Sequence, residues 1–320
     1  MRKALNKTHI EGRVYEHNLT VKKVQNSASE NFGKEFISGT LDVATDDACT
    51  NIITINFTYV TATTSKNNRN ETYYTLLNII ENGKCVIVDG PEVATMVKID
   101  TATALNDFYS NKTGEDVLVS AKRNEGGFVH TVTKLCDEAA RNTFEVDMLI
   151  NGTKYIEADE EKHIDNDYLI IKGAIFNFKE DILPVEFVCY NPAGIKYFES
   201  LEASSTNLVF TKVWGNLVTK VIKYTKTEES AFGEPIVKDY SRDKKEWIVT
   251  GAAPNGYEIG DKENGITPEE IKEAMAKREI HLAEVKKKSE EYRASQNATT
   301  TASAPAISSG ISAVQGGFNF

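Results

Sequence analysis

Apolar and polar residues alternate along most of this chain in short runs, which is the spacing of half-buried β-strands. The clearest block spans Asp167 to Tyr224. It reads as a strand (Tyr168 to Phe178), a turn at Lys179-Glu-Asp181, a strand (Ile182 to Tyr190), a short helix (Ala193 to Leu201) and a long β-rich run (Asn207 to Tyr224). The same order occurs upstream in Glu35 to Val43, Asn51 to Val60, a helical Tyr73 to Ile80, and Met96 to Tyr109. Each copy carries a glycine in its first strand, Gly39 and Gly173. In the upstream copy Ile53, Ile55, Phe57 and Tyr59 share one face of a strand, with Thr54, Asn56 and Thr58 on the other. The chain is therefore a tandem repeat of a β-rich unit.

Further strands are expected before and after each copy. His9 to Val24 alternates, with Gly12 as a place for a bend. Val117 to Val132 reads as a hairpin turning at Asn124-Glu-Gly-Gly127, because such a turn suits adjacent positive backbone angles. Thr143 to Ile150 turns at Asn151-Gly152 into Lys154 to Ile156, and Lys245 to Gly251 is the last strand. Lys84 to Val88 is a small additional strand. Five strands with a helix between the third and fourth is the order of the OB-fold, a small Greek-key barrel. The expected fold is mostly β: two tandem OB-fold-like five-stranded Greek-key barrels over residues 1–134 and 142–255. A linker and C-terminal helix follow over 256–294, then a disordered tail over 295–320.

That helix starts at Thr267-Pro-Glu-Glu270, where Thr267 caps, Pro268 takes the first helical position and Glu270 completes a capping box. Ile271, Met275, Leu282, Val285 and Tyr292 form its apolar stripe, interrupted by Arg278 and Ser289. The stripe is expected to dock on the second barrel, with a protein partner as the alternative. From Ser295 the chain is uncharged and ends in Phe318 and Phe320.

Composition narrows the function. The 320 residues are 40% hydrophobic and 26% charged, ordinary for a globular protein. The formal net charge of −10 argues against coating duplex DNA by bulk positive charge. A local basic groove remains compatible with nucleic acid. The N-terminus has no apolar signal-peptide core and no run is long enough to cross a membrane, so a cytoplasmic protein is expected. Cys49, Cys85, Cys136 and Cys189 form no Cys-x-x-Cys pair, so neither a metal nor a cofactor is expected. The five histidines are scattered, and no hydrolase elbow, P-loop or dinucleotide fingerprint is present. A non-enzyme is expected.

Aromatic and basic residues on strands remain, the means by which single-strand-binding proteins hold bases and backbone. In the second unit the candidates are Phe176, Phe178, Phe210, Lys212, Trp214 and Lys220. In the first they are Lys22, Lys23, Tyr59, Lys66, Arg69, and the Lys122-Arg123 arm of the expected hairpin. Against them stands the ordinary fate of such residues: aromatics on alternating strands are mostly core, and surface lysines mostly solubilise.

The duplicated barrel, the segments Ala231-Phe-Gly-Glu-Pro235 and Glu246-Trp-Ile-Val-Thr-Gly-Ala252, and the aromatic-tipped tail together resemble phage single-stranded DNA-binding proteins with tandem OB-folds. The resemblance covers roughly residues 8–293. It implies non-catalytic coating of single-stranded DNA in phage replication or recombination. It also implies recruitment of replication or recombination proteins through the tail, where Phe318 and Phe320 match but the acidic residues of such tails are missing. The alternative is a phage structural or assembly protein that uses its barrels for protein docking.

Overall fold

The computed structural model describes residues 2–110, 116–162, 164–228, 232, 234 and 236–302. The first repeat contributes β1 (Asn6–His17), β2 (Thr20–Lys23), β3 (Glu35–Ala44), β4 (Ile52–Thr61), helices α1 (Glu71–Asn82) and α2 (Val86–Asp89), β5 (Met96–Ser110) and β6 (Val117–Thr131). A 3₁₀ turn at Glu138–Ala140 leads into β7 (Asn142–Ile156), β8 (Tyr168–Phe176), β9 (Ile182–Cys189), α3 (Pro192–Ser200), β10 (Val209–Glu228), β11 (Ile236–Ala252) and α4 (Pro268–Ala302).

Two rings close. In the first, β1 pairs with β3, β3 with β4, β4 in parallel with β6, and β6 lies next to β5, which returns to β1. In the second, β7 pairs with β8, β8 with β9, β9 in parallel with β11, and β11 with β10, which returns to β7. Both are five-stranded OB barrels with a helix between the third and fourth strands, as the sequence pattern predicts. Closure satisfies the edge hydrogen bonds that open sheets leave bare.

The barrels are joined edge to edge. Residues Asn6 to Ile10 of β1 pair antiparallel with Asn142 to Val146 of β7, which makes one 11-stranded sheet. A single hydrophobic cluster runs through both barrels, from Ile10, Leu41, Ile55 and Leu76 to Phe144, Phe187, Phe198 and Trp247. Polar contacts reinforce the join: Trp247 Nε1 donates to Thr103 Oγ1 at 3.1 Å, and Asn142 Nδ2 donates to the Leu217 carbonyl at 2.7 Å.

Several local expectations are corrected. Asn124 to Gly127 is not a turn but the interior of β6, and β5 ends at Ser110 before β6 begins at Val117. Its two glycines have φ of +66° and +112° because the strand bends there over β5. A Cβ on Gly127 would lie 2.3 Å from the Asp100 carbonyl oxygen. Likewise Asn151-Gly152 is a bulge within one continuous β7, not a hairpin turn. Residues 86–89 are helical rather than extended, and the last strand begins at Ile236 rather than Lys245.

The start of α4 behaves as its capping box predicts. The Thr267 N–H donates to Glu270 Oε2 at 3.0 Å, and the Glu270 N–H donates to Thr267 Oγ1 at 3.3 Å. Ile271 and Ala274 then pack on the outside of the second barrel, over Leu149, Ala174, Phe176, Ile182 and Phe210. Met275, expected in the apolar stripe, is exposed, and Ala274 takes its place. A second compact unit comprises Asp107–Val119 and the chain from Glu279 onward. Within it Arg293 pairs with Asp116, and His281 Nε2 lies 3.2 Å from Asp107 Oδ2. The tail from residue 303, with Phe318 and Phe320, lies outside the described residues.

One glycine tests the closure directly. Where β10 shifts register against β11, a Cβ on Gly215 would meet the Ile248 carbonyl oxygen at 1.8 Å, whereas nothing lies within 4 Å of one on Gly152. Gly215→Ala is expected to lower stability by about 1–3 kcal/mol in urea denaturation, as overpacking does, and Gly152→Ala to leave it nearly unchanged.

Candidate nucleic-acid interface

The second and third strands of an OB barrel present an outer face that faces solvent in an isolated barrel, and that face and its flanking loops are where the fold usually binds oligomers. In the second barrel these strands are β8 and β9. Leu169 and Cys189 are paired and buried, so Tyr168 and Tyr190, one residue further out, stand on the outer side. Their rings are 5.3 Å apart, inclined at 41°. Lys220 of β10 lies 4.5 Å from the Tyr190 ring centre, and Lys244 of β11 lies 5.3 Å from that of Tyr168. Cations over aromatic faces are attracted by the ring quadrupole.

Lys220 and Lys244 are also direct cross-strand partners, an arrangement that repels like charges. Glu246, nearly fully buried, offsets it: its carboxylate is 3.1 Å from Lys220 Nζ and 2.7 Å from Lys244 Nζ. The Tyr190 hydroxyl donates to the same carboxylate at 2.9 Å. Burial raises the Glu246 carboxyl, but hydrogen bonds from Lys244 and Lys220 outweigh it and hold the group below its ordinary value. Burial, followed by the adjacent Glu246 charge, raises the Tyr190 phenol, which stays protonated. The cluster lines a small cleft of about 70 Å³ with Asp165 and Asn166. Further along the same outer face stand Ile170 and Lys172, the latter 3.6 Å from Glu186.

The first barrel carries an aromatic pair near the corresponding strand ends. Phe36 at the start of β3 and Tyr59 near the end of β4 stack with ring centres 4.7 Å apart, inclined at 40°. Tyr59 is 47% exposed, and Lys22 of β2 is paired directly with Phe36. Thus each barrel has an aromatic pair across the mouth of its second and third strands, with lysine alongside.

The remaining expected site residues fare differently. Phe176 and Phe210 are 0% and 1% exposed, edge-to-face at 6.1 Å beneath Ile271 and Ala274. Both are core, which corrects their assignment as base platforms: the segment from Ile266 covers a face that alternation alone left open. Phe178 is 87% exposed in the turn after β8, with Lys179 Nζ 5.6 Å from its ring. Trp214 is 38% exposed and lies flat on Gly251, whose Cβ would sit 2.5 Å from the indole. Lys212 Nζ is 5.7 Å from that indole and 2.6 Å from Glu145. Lys23 faces Glu35 at 3.5 Å. Lys66 is an exposed loop residue, and Arg69 lies 3.5 Å over Tyr74 while bonded to Glu71 at 2.8 Å.

Lys122 and Arg123 do not form the arm of a hairpin, because β6 runs straight through them. They line a cleft of about 250 Å³ between the barrels, with Thr54, Asn56, Lys245 and Trp247. Arg123 is bonded to Glu125 at 2.8 Å. Lys122 Nζ donates to the Glu186 carbonyl and lies 4.8 Å from the Trp247 ring and 5.3 Å from Phe187. The sequence reading missed Tyr168, Tyr190, Lys244 and Phe36: it placed the turn at Lys179 to Asp181, centred on residue 180, whereas the strands pair about residue 179. Residues equidistant from the middle of a hairpin face each other, and both 179 − 168 and 190 − 179 equal 11.

Comparison with known proteins places the chain in a family. It belongs to the YorF family, whose model matches residues 4–288. No curated protein matches it. Among solved structures it is similar to a deletion mutant of the single-stranded DNA-binding protein from Thermus aquaticus. Identity is 9%, with 82% of this chain and all of that one covered at a TM-score of 0.46. Among the described residues, no helix is long and apolar enough to cross a membrane.

Desolvation between the barrels brings the Lys122 ammonium down to about 8 from the ordinary 10.5, against opposing pulls from Glu186 and Glu246. Below pH 8 it is charged in both states, and the folded protein bears the cost. Between pH 8 and 10.5 the unfolded chain binds more protons, so this group's contribution to stability rises with pH. Lys122→Met is therefore expected to match or exceed wild type in urea denaturation at pH 7, and its advantage to shrink by pH 10.

Proposed function

We propose that the protein binds single-stranded DNA without catalysis, using the outer faces of both barrels. The observation that carries this is the duplicated aromatic pair, Phe36–Tyr59 and Tyr168–Tyr190, at equivalent strand ends with nearly the same ring inclination. Core packing alone gives no reason to repeat a partly exposed aromatic pair in both halves. A base stacked on such a ring contributes about 1–3 kcal/mol regardless of its identity. Lys22, Lys172, Lys220 and Lys244 supply phosphate contacts beside the rings. Glu246 and Glu186 hold some of these cations in place and limit the net positive field, which suits a chain of charge −10. Stacking then contributes more of the affinity than counterion release does. Trp214, flat on Gly251 with one face covered, is a further platform.

The resemblance to phage single-stranded DNA-binding proteins supports a place in DNA replication or recombination in the cytoplasm of a bacterial host. Recruitment of replication or recombination proteins falls to α4 and to the tail ending in Phe318 and Phe320.

Fluorescence anisotropy of labelled oligo-dT, at low and moderate salt with a duplex control, tests this reading. Binding is expected to favour the single strand and to weaken with salt. Tyr59→Ala and Tyr168→Ala should each weaken it by roughly 5–150-fold, the equivalent of one stacked base. Phe178→Ala should change it little. No single-strand binding at low salt would overturn the reading and favour protein docking. Binding that neither tyrosine affects would move the site elsewhere.

A further inference from the structure

On β1 the fold brings a cysteine from 125 positions away beside two side chains of the strand. His9 and Glu11 project from the same side of the strand, and Cys136 comes from the segment between the barrels. One ligand atom from each lies within 4.8 Å of the other two. His9 Nε2 is 3.6 Å from Glu11 Oε2, and Glu11 is 6% exposed. The Cys136 N–H donates to Glu11 Oε1 at 2.5 Å, which fixes the carboxylate beside the thiol.

The far side of the imidazole supplies the second observation. His9 Nδ1 lies 2.9 Å from Asp100 Oδ1 on β5. With Nδ1–H donating to Asp100, the Nε2 lone pair points toward the Glu11 carboxylate, so two acceptors and a thiol converge on one point. A carboxylate behind the imidazole and a lone pair in front is the arrangement that orients metal-binding histidines. Imidazole nitrogen, thiolate sulfur and carboxylate oxygen together suit zinc or a similar divalent transition metal.

We propose that His9 Nε2, Glu11 and Cys136 Sγ bind one such ion, with water as the fourth ligand. Tetrahedral zinc sets its ligand atoms about 3.3–3.8 Å apart, so the three must close by roughly 1 Å or less. Binding releases the Cys136 thiol proton to solvent. Thiolate and carboxylate then balance the charge of the dication, and the neutral imidazole completes the protein ligands. The adjacent Arg141 cation is already committed, since its Nη1 lies 2.6 Å from Asp47 Oδ1. The ion ties the inter-barrel segment to β1, the strand shared by both barrels. The expectation of no metal rested on missing Cys-x-x-Cys spacing, which says nothing about mixed ligands from two segments far apart in sequence.

Cobalt(II) titration of the full chain, stripped with EDTA, tests the site. One cobalt per chain is expected to bind with a thiolate-to-cobalt charge-transfer band in the near ultraviolet, and zinc should abolish the band by displacement. Zinc should also raise the melting temperature of the stripped protein. Cys136→Ser should remove the band while melting, metal-free, close to the metal-free wild type. Asp100→Asn should keep the band but weaken binding about 10–100-fold, as loss of a supporting carboxylate does. A wild type without the band, or a Cys136→Ser variant that keeps it through Cys49, Cys85 or Cys189, would overturn the proposal.

Discussion

Everything in the main body of the fold depends on β1, which has three partners. Its N-terminal half is paired with β5 on one side and β7 on the other, and its C-terminal half with β3. The change of partner happens around Gly12, where a Cβ would lie 2.0 Å from the Ala44 carbonyl oxygen. Only a glycine lets the backbone of β3 approach so closely and close the first ring. Thr8, Ile10 and Val14 are fully buried along this strand, so one segment closes one barrel, carries the other and anchors their shared core.

Much of the architecture was legible because OB strands alternate and because the chain repeats itself. The order strand, turn, strand, helix, strand gave both barrels, and Thr267 with Glu270 gave the start of α4. The errors have a common physical origin in non-local contact. Asn124 to Gly127 has turn chemistry, yet its positive φ serves a strand crossing β5. Phe176 and Phe210 alternate as outward residues would, and a segment from the far end of the second repeat buries them. Cys136 meets Glu11 across 125 positions, which no local spacing encodes. Tyr168 and Tyr190 differ in kind: the turn between them was placed late, at Lys179 to Asp181 after a strand running to Phe178, and that shift of centre hid their pairing.

The two barrels solve the same problem with different electrostatics. In the first, the Phe36–Tyr59 pair has Lys22 on the adjoining edge. In the second, two lysines that repel each other across strands are held over tyrosine rings by one buried carboxylate. An arrangement of that kind fixes cations at set distances from an aromatic surface, at the cost of a charge kept out of water. A partly exposed aromatic pair thus recurs in both barrels while the charges around it differ.

The covering of Phe176 and Phe210 by Ile266, Ile271 and Ala274 also sets a timetable for synthesis. The Arg2 N–H donates to the Gly265 carbonyl and its guanidinium stacks 3.9 Å from Tyr257, so the beginning of the chain waits for the same late segment. Between Phe210 and Ala274 lie 274 − 210 = 64 residues of translation, or about 3–13 s at 5–20 residues per second. Until that segment is made, the strands that carry Phe176 and Phe210 leave this phenylalanine face uncovered. A stalled or truncated product ending before residue 266 would never hide it.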